Sequence, residues 1–206
     1  MIDLSNNNAT GHDFSKAFVK GGQRHVYLKR CEGTGFVDTT YPTMRKAALA
    51  AHLKVGAYNF LHPGQASPEE AATFFTDLLE LPLKPGIDLR PCLDVESGTP
   101  DASMGAWVSE VASLVKRNVG CAPLIYGSGF FLQSCAFRSM PGPLWIAAYG
   151  RNDGKEYPVN MVPAPWKSYA AHQYTSEAHV VGINGACDLS HVFVAGGVEV
   201  PKSAAV

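Results

Sequence analysis

Over its first two thirds the chain alternates short apolar, β-rich runs with segments of helical period, and that alternation leaves few folds open. Candidate strands lie at Met1 to Leu4, His25 to Lys29, Gly56 to Phe60, Arg90 to Val95, Pro123 to Tyr126 and Leu144 to Ala148. The clearest helix follows Thr99, where Met104, Trp107, Val108, Val111, Leu114 and Val115 recur at three- and four-residue spacing. Thr99 is its expected N-cap and Pro100 its first position. A second helix opens at Ser67-Pro68-Glu69-Glu70, a capping-box pattern, and carries Ala71, Phe74, Phe75, Leu78 and Leu79 on its stripe. A third, alanine-rich helix runs near Thr43 to Lys54, with Gly56 as its expected stop.

The last third changes character. Tyr169 to Thr175, His179 to Val181 and Ala186 to Leu189 read as short strands joined by tight turns, with Gly182 and Gly185 as turn residues. Repeated strand-then-helix units imply parallel strands, and 206 residues suffice to close them into one barrel. The expected fold is therefore α/β: an irregular, TIM-like (β/α) barrel whose last strands are antiparallel or hairpin-like. A single catalytic domain over 1–197 and a frayed tail over 198–206 are the expected organisation.

Composition narrows the partners. Hydrophobic residues make up 46% and charged ones 17%, enough for a sizeable core. A net charge of -1 gives no electrostatic reason to bind nucleic acid, and no polybasic or amphipathic tract points to a membrane surface. The start, MIDLSNNN, has neither a basic n-region nor an apolar h-region, so no secretory signal is read there. Cys31, Cys92, Cys121, Cys135 and Cys187 are odd in number and lack C-x-x-C spacing, which suits packing roles in a reducing compartment.

Rival chemistries lack their residues. The histidines His12, His25, His52, His62, His172, His179 and His191 make no H-E-x-x-H spacing, so no metal site is expected. Nothing around the cysteines activates a thiol. Ser128 in YGSGF lacks the first glycine of a nucleophile elbow, and GRNDGK from Gly150 is one residue short of a P-loop.

Acids supply the positive signal. Asp3 falls at the end of the first candidate strand, Asp94 and Glu96 at the end of the fourth, and Asp188 at the end of the last. In a βα barrel those strand ends form one rim, where such barrels do their chemistry. Asp94 and Glu96 are two residues apart, so an extended strand turns both the same way, with Cα atoms about 6.5 Å apart. Clustered carboxylates in a partly dry cleft raise the pKa of at least one member, which can then act as a general acid. A solvated or salt-bridged pair is the ordinary role of a lone D-x-E, and the four acids name no substrate by themselves.

Several segments, in order along the chain, resemble glycoside hydrolase family 25, the Chalaropsis-type lysozymes of bacteria, fungi and phages. They are IDLSNNN at Ile2, CEGTGFVDTTY at Cys31, GAYNF at Gly56, PCLDVE at Pro91, PLIYGS at Pro123, LWIAAYG at Leu144, HQYTS at His172 and CDLSHVF at Cys187. The resemblance implies a muramidase that cleaves the β-1,4 bond between N-acetylmuramic acid and N-acetylglucosamine, without cofactor or metal. It makes Glu96 the general acid/base, Asp94 the assisting carboxylate, and Asp3 and Asp188 the remaining acids of the cleft. Tyr58, Trp145, Tyr149 and Tyr174 fall on aromatic positions suited to bounding a sugar, and Gln173 is a further expected substrate contact. Trp145 can instead pack behind the cleft, and His172 suits a structural hydrogen bond as well as a substrate contact. Asn59 departs from the histidine common at that place, which puts a substrate-contact or orienting hydrogen bond in doubt but leaves the acid chemistry in place.

The expected partner is the glycan strand of bacterial peptidoglycan, met by a monomer; nucleic acid and membrane are not expected partners. A phage endolysin, made in the host cytoplasm and acting on the wall after release, is the expected setting, with a mature domain of a secreted enzyme as the alternative. The rival function on the same barrel is a peptidoglycan-binding protein without turnover.

Overall fold

In the computed structural model, which describes residues 1–8 and 10–202, the elements run in the expected alternation. They are β1 (Ile2–Leu4), α1 (Phe14–Val19), β2 (His25–Glu32), β3 (Phe36–Val37), α2 (Tyr41–Ala50), β4 (Lys54–Phe60), α3 (Pro68–Asp77) and β5 (Cys92–Asp94). There follow α4 (Ala102–Val119), β6 (Leu124–Ser128), α5 (Gly129–Ser134), β7 (Leu144–Ala147), β8 (Ala171–Ala178), β9 (Cys187–Val192) and α6 (Ala195–Val198).

The sheet runs β1-β9-β8-β7-β6-β5-β4-β2-β3, and β1 also pairs with β2, so eight strands close a ring and β3 stays outside it. From β1 through β8 each ring strand is parallel to the next; β9 alone runs antiparallel, between β8 and β1. This is the expected irregular barrel, with β9 returning from β8 as a hairpin. Residues near His179 to Val181, expected as a strand, form the turn that makes the return possible.

Side-chain period two divides the barrel interior into layers. The lower layer is apolar and aromatic: Tyr27, Cys92, Leu124, Tyr126, Trp145 and Ala171 form one buried cluster. Trp145 is its hub, with ring centroids 5.0 Å from Tyr27 and 4.8 Å from Tyr126. Moving two residues along each strand from this floor leads to Lys29 from Tyr27, Asp94 from Cys92 and Gln173 from Ala171. A second, larger core fills the space between sheet and helices. There Val108, Val111, Ala112 and Val115 bury the inner stripe of α4, and Gly105 lets the helix approach so closely that a Cβ would lie 1.9 Å from the Cys135 carbonyl oxygen.

Several local expectations are corrected. Asp101, not Thr99, caps α4: its carboxylate accepts from Met104 N at 2.9 Å, a stronger acceptor at the positive helix end than a hydroxyl. The Ser67 and Glu70 capping box forms as read, although α3 ends before Leu78 and Leu79. Gly56 does not stop α2. It lies inside β4, and the left-handed position after that helix is held by His52 at φ 64°. The frayed tail does not begin at Val198, since Val198 and Val200 are buried and Glu199 bridges to Leu89 and ion-pairs with Lys54. Residues 203–206 of that expected tail lie outside the described residues. All five cysteines are buried and unpaired, as packing residues should be.

Candidate active site

The parallel strands end at one rim, and a cleft enclosing about 640 Å³ of non-protein space, part of it open to solvent, sits inside it. Asp3, Asp94, Glu96 and Asp188 all line this cleft. The convergence expected from the strand ends is therefore present, by a different route for one residue. Asp188 does not end its strand; it is the second residue of β9, and because β9 is antiparallel its beginning lies at the rim where its neighbours finish. There Asp188 stands directly across from Asp3 in the β1–β9 register.

Burial grades the four carboxyls. Asp94 and Asp3 are 6% and 9% exposed, Asp188 is half-buried, and Glu96 stands at the open lip. Loss of water raises each pKa, and mutual repulsion adds to it. Asp94 is held well above its ordinary value by burial, then by Glu96 and Asp3. Asp3 is raised by burial and by Asp188, against the lowering hydrogen bond from Gln173. Glu96 is raised by burial and by Asp188, with Lys29 opposing, and burial lifts Asp188 to about 6. Crowding four such carboxyls into one cleft favours the retention of a proton there.

Asp94 Oδ1 is buried and has no hydrogen-bond partner. Among the described residues no group of three or more His, Cys, Asp or Glu side chains is placed to hold a metal ion.

The expected binding residues divide. Tyr58 and Tyr149 line the cleft wall. Trp145 reaches the cleft only as its floor: it is 2% exposed, and its Nε1 donates to Ser190 Oγ at 3.0 Å, so the packing alternative holds and its face is closed to a sugar. Gln173 lines the wall but is 2% exposed and committed to protein partners. Its Nε2 donates to both oxygens of Asp3, and its Oε1 accepts the hydroxyls of Tyr126 and Tyr149, both at 2.6 Å. Tyr174 is not a cleft residue. One position along β8 from Gln173, it shares the opposite face with His172, ring centroids 6.2 Å apart. His172 is buried outside the barrel against the Ala148 carbonyl at 2.9 Å and Glu156 at 3.3 Å, a structural role. Asn59 does not line the cleft either; its amide nitrogen donates to the Gly33 carbonyl, and its Oδ1 is buried without a partner.

Sequence reasoning missed six cleft residues, Ser5, Asn7, Lys29, Phe60, Cys92 and Tyr126. Lys29, Phe60 and Tyr126 are each the last inward-facing residue of a candidate strand, the same positional signal that singled out the acids.

A closed α/β barrel whose rim gathers carboxyls of raised pKa around one cleft is the class of architecture on which paired-carboxylate glycoside hydrolysis is built. The chain belongs to the glycosyl hydrolases family 25, whose model matches residues 2–183. It is 29% identical over 184 residues to an autolytic lysozyme of Clostridium acetobutylicum, covering 86% of this chain and 51% of that protein. This chain thus spans about half the length of that relative. It is 27% identical over 197 residues to the N,O-diacetylmuramidase of Chalaropsis sp, covering 85% of this chain and 90% of that one. The solved muramidase from Acremonium alcalophilum superimposes with a TM-score of 0.80 at 26% identity, over 93% and 91% of the two chains.

Proposed function

We propose that the chain is a muramidase that hydrolyses the β-1,4 bond from N-acetylmuramic acid to N-acetylglucosamine in bacterial peptidoglycan. The observation that carries this reading is the set of four carboxyls of raised pKa on one rim, with Asp94 Oδ1 among them buried and without a partner. Glu96, at the lip, gives its proton to the glycosidic oxygen as the bond to the anomeric carbon breaks. The N-acetyl oxygen of the substrate takes up the positive charge that develops there, a substrate-assisted route. Asp94 accepts from the N–H of that amide, which orients it and offsets its charge. Water then opens the ring intermediate, giving its proton back to Glu96. Asp3 and Asp188 raise the affinity of Glu96 and Asp94 for that proton. Tyr58 and Tyr149 bound the sugar. Retention at the anomeric carbon, read by NMR during turnover, is the expected stereochemistry; net inversion would remove the assisted route.

A peptidoglycan digest analysed by mass spectrometry tests the assignment. Fragments with new reducing ends on N-acetylmuramic acid are expected. Reducing ends on N-acetylglucosamine would identify a different glycosidase, and binding to the wall without release would identify a protein that has lost turnover.

The setting we propose is a phage endolysin, made in the host cytoplasm and acting on the wall once the membrane is breached. Five buried, unpaired cysteines suit synthesis in a reducing compartment. Producing cells should stay intact until the membrane is permeabilised, then lyse; lysis without permeabilisation counts against it.

A further inference from the structure

Lys29 is the only cation lining the cleft among the described residues, and it is 6% exposed. Burying an ammonium costs several kcal/mol unless its surroundings repay it, and an apolar side chain of like length would pack there more cheaply. It stands at the end of the inward-facing row of β2, two residues beyond Tyr27 and in register with Tyr58 of β4. A bulge between Lys29 and Cys31 breaks the β2–β4 ladder just after it, the kind of irregularity that re-aims a side chain.

Its anchoring is continuous. Lys29 Nζ donates to Glu32 Oε2 at 2.9 Å, and the other oxygen of that carboxylate, Oε1, lies 3.0 Å from His62 Nε2. His62 Nδ1 lies 3.1 Å from Ser97 Oγ, on the residue that follows Glu96. A chain of side chains therefore runs from the ammonium to the backbone segment that carries the proposed acid. The charged and titratable groups that line the cleft with it are Asp3 on β1, Tyr58 on β4, Cys92 and Asp94 on β5, Glu96 beyond it, Tyr126 on β6, Tyr149 after β7 and Asp188 on β9; Glu32 and His62 belong to the chain of contacts itself.

We propose that Lys29, tethered through Glu32 and His62 to Ser97, is a positioning residue for the Glu96 and Asp94 pair. The inference rests on the muramidase reading above. The ammonium favours the ionised form of both carboxyls, and so offsets the second negative charge that appears when Glu96 gives its proton to the glycosidic oxygen. The tether holds the Glu96 segment at a set distance from the ammonium. Consistent with this geometry, Lys29 lowers the pKa of both Asp94 and Glu96 against the raising effect of burial.

The test is the pH–rate profile, with kcat and KM separated, on soluble uncross-linked glycan chains. Lys29→Met should lower kcat about 100-fold, as loss of a preorganised charge does, with KM within about threefold. Its profile should move to higher pH by about one unit, because removing a cation raises both carboxyls. Lys29→Arg keeps the charge and should keep the profile in place. Glu32→Gln frees the ammonium from its anchor and should lower kcat about 10-fold with KM unchanged. A folded Lys29→Met with near-normal kcat and an unmoved profile overturns the proposal. If that variant does not fold, Glu32→Gln at wild-type kcat overturns it. Wild type that releases no reducing ends refutes the muramidase reading and this inference with it, whereas active wild type with unaffected variants refutes this inference alone.

Discussion

Gln173 Nε2 donates to both carboxylate oxygens of Asp3, at 3.2 and 3.0 Å, and the contact ties β8 to β1 across the antiparallel β9 between them. The same amide accepts two phenol hydroxyls through its oxygen, from Tyr126 and Tyr149. One side chain thus fixes an acid of the site and an aromatic of its wall.

Gln173→Leu removes all four of those bonds at once. It leaves a buried carboxyl and a buried phenol without partners, each costing about 1–3 kcal/mol. A loss of about 2–4 kcal/mol in urea unfolding is expected, together with a fall in turnover as Tyr149 and Asp3 lose their orientation. An unchanged unfolding midpoint would mean that water replaces the amide without cost.

Asp188 makes stability depend on pH in a definite direction. Burial lifts its pKa from 3.8 to about 6. Between those values the unfolded chain has lost the proton that the native state still holds, so stability falls as pH rises through that window. Asp188→Asn removes the effect. Allowing for the solvent that reaches this half-buried group, the variant should gain about 1–2 kcal/mol relative to wild type at pH 7 and close to nothing at pH 4. Equal effects at the two pH values would show that the raised pKa is not expressed in the native protein.

What the chain revealed before folding was the part encoded locally. Apolar β-rich runs located the ring strands, and Ser67 with Glu70 located a helix start, because both patterns act over a few residues. The misreadings involve partners far along the chain. Tyr174 and Gln173 differ by one position, and only the pairing of β8 decides which of them faces the cleft. Lys29 is only a strand end in the sequence, and its place in the cleft is decided when Glu32, and His62 and Ser97 one and two strands away, are linked to it. The segment Val198 to Val200 reads as a tail because the partners of Glu199, Leu89, Lys54 and His25, are more than 100 residues away.

Gly56 shows the same dependence in a testable form. A Cβ there would stand 2.1 Å from Cε1 of Tyr27. Tyr27 cannot yield, since its hydroxyl donates to the Arg90 carbonyl at 2.9 Å and its ring packs on Trp145. Gly56→Ala should therefore cost about 3 kcal/mol or more, the upper range for overpacking a tight core. A milder loss would require the Tyr27 ring to shift, which a change in tyrosine and tryptophan fluorescence would report.

His52 predicts the opposite sign. It holds φ 64° after the last turn of α2, is exposed, and takes the place where glycine meets no Cβ penalty. His52→Gly should stabilise by about 0.5–1 kcal/mol in urea unfolding, with an unchanged m-value. A loss would show that its ring, 6.1 Å from that of Phe18, contributes more packing than the strain removes.

Glu96→Gln separates chemistry from folding most sharply. Glu96 is the most exposed of the four acids and makes no hydrogen bond among the described residues, so an isosteric amide leaves the core untouched. It also removes one of the charges that raise Asp94, so stability at neutral pH should be equal to or higher than wild type. The amide has no proton to give to a leaving oxygen, and wall lysis should fall by about 10³-fold or more. Lysis near the wild-type rate in a normally folded variant would place the acid elsewhere on the rim. Asp188, with its pKa lifted to about 6, would then be the group to replace next.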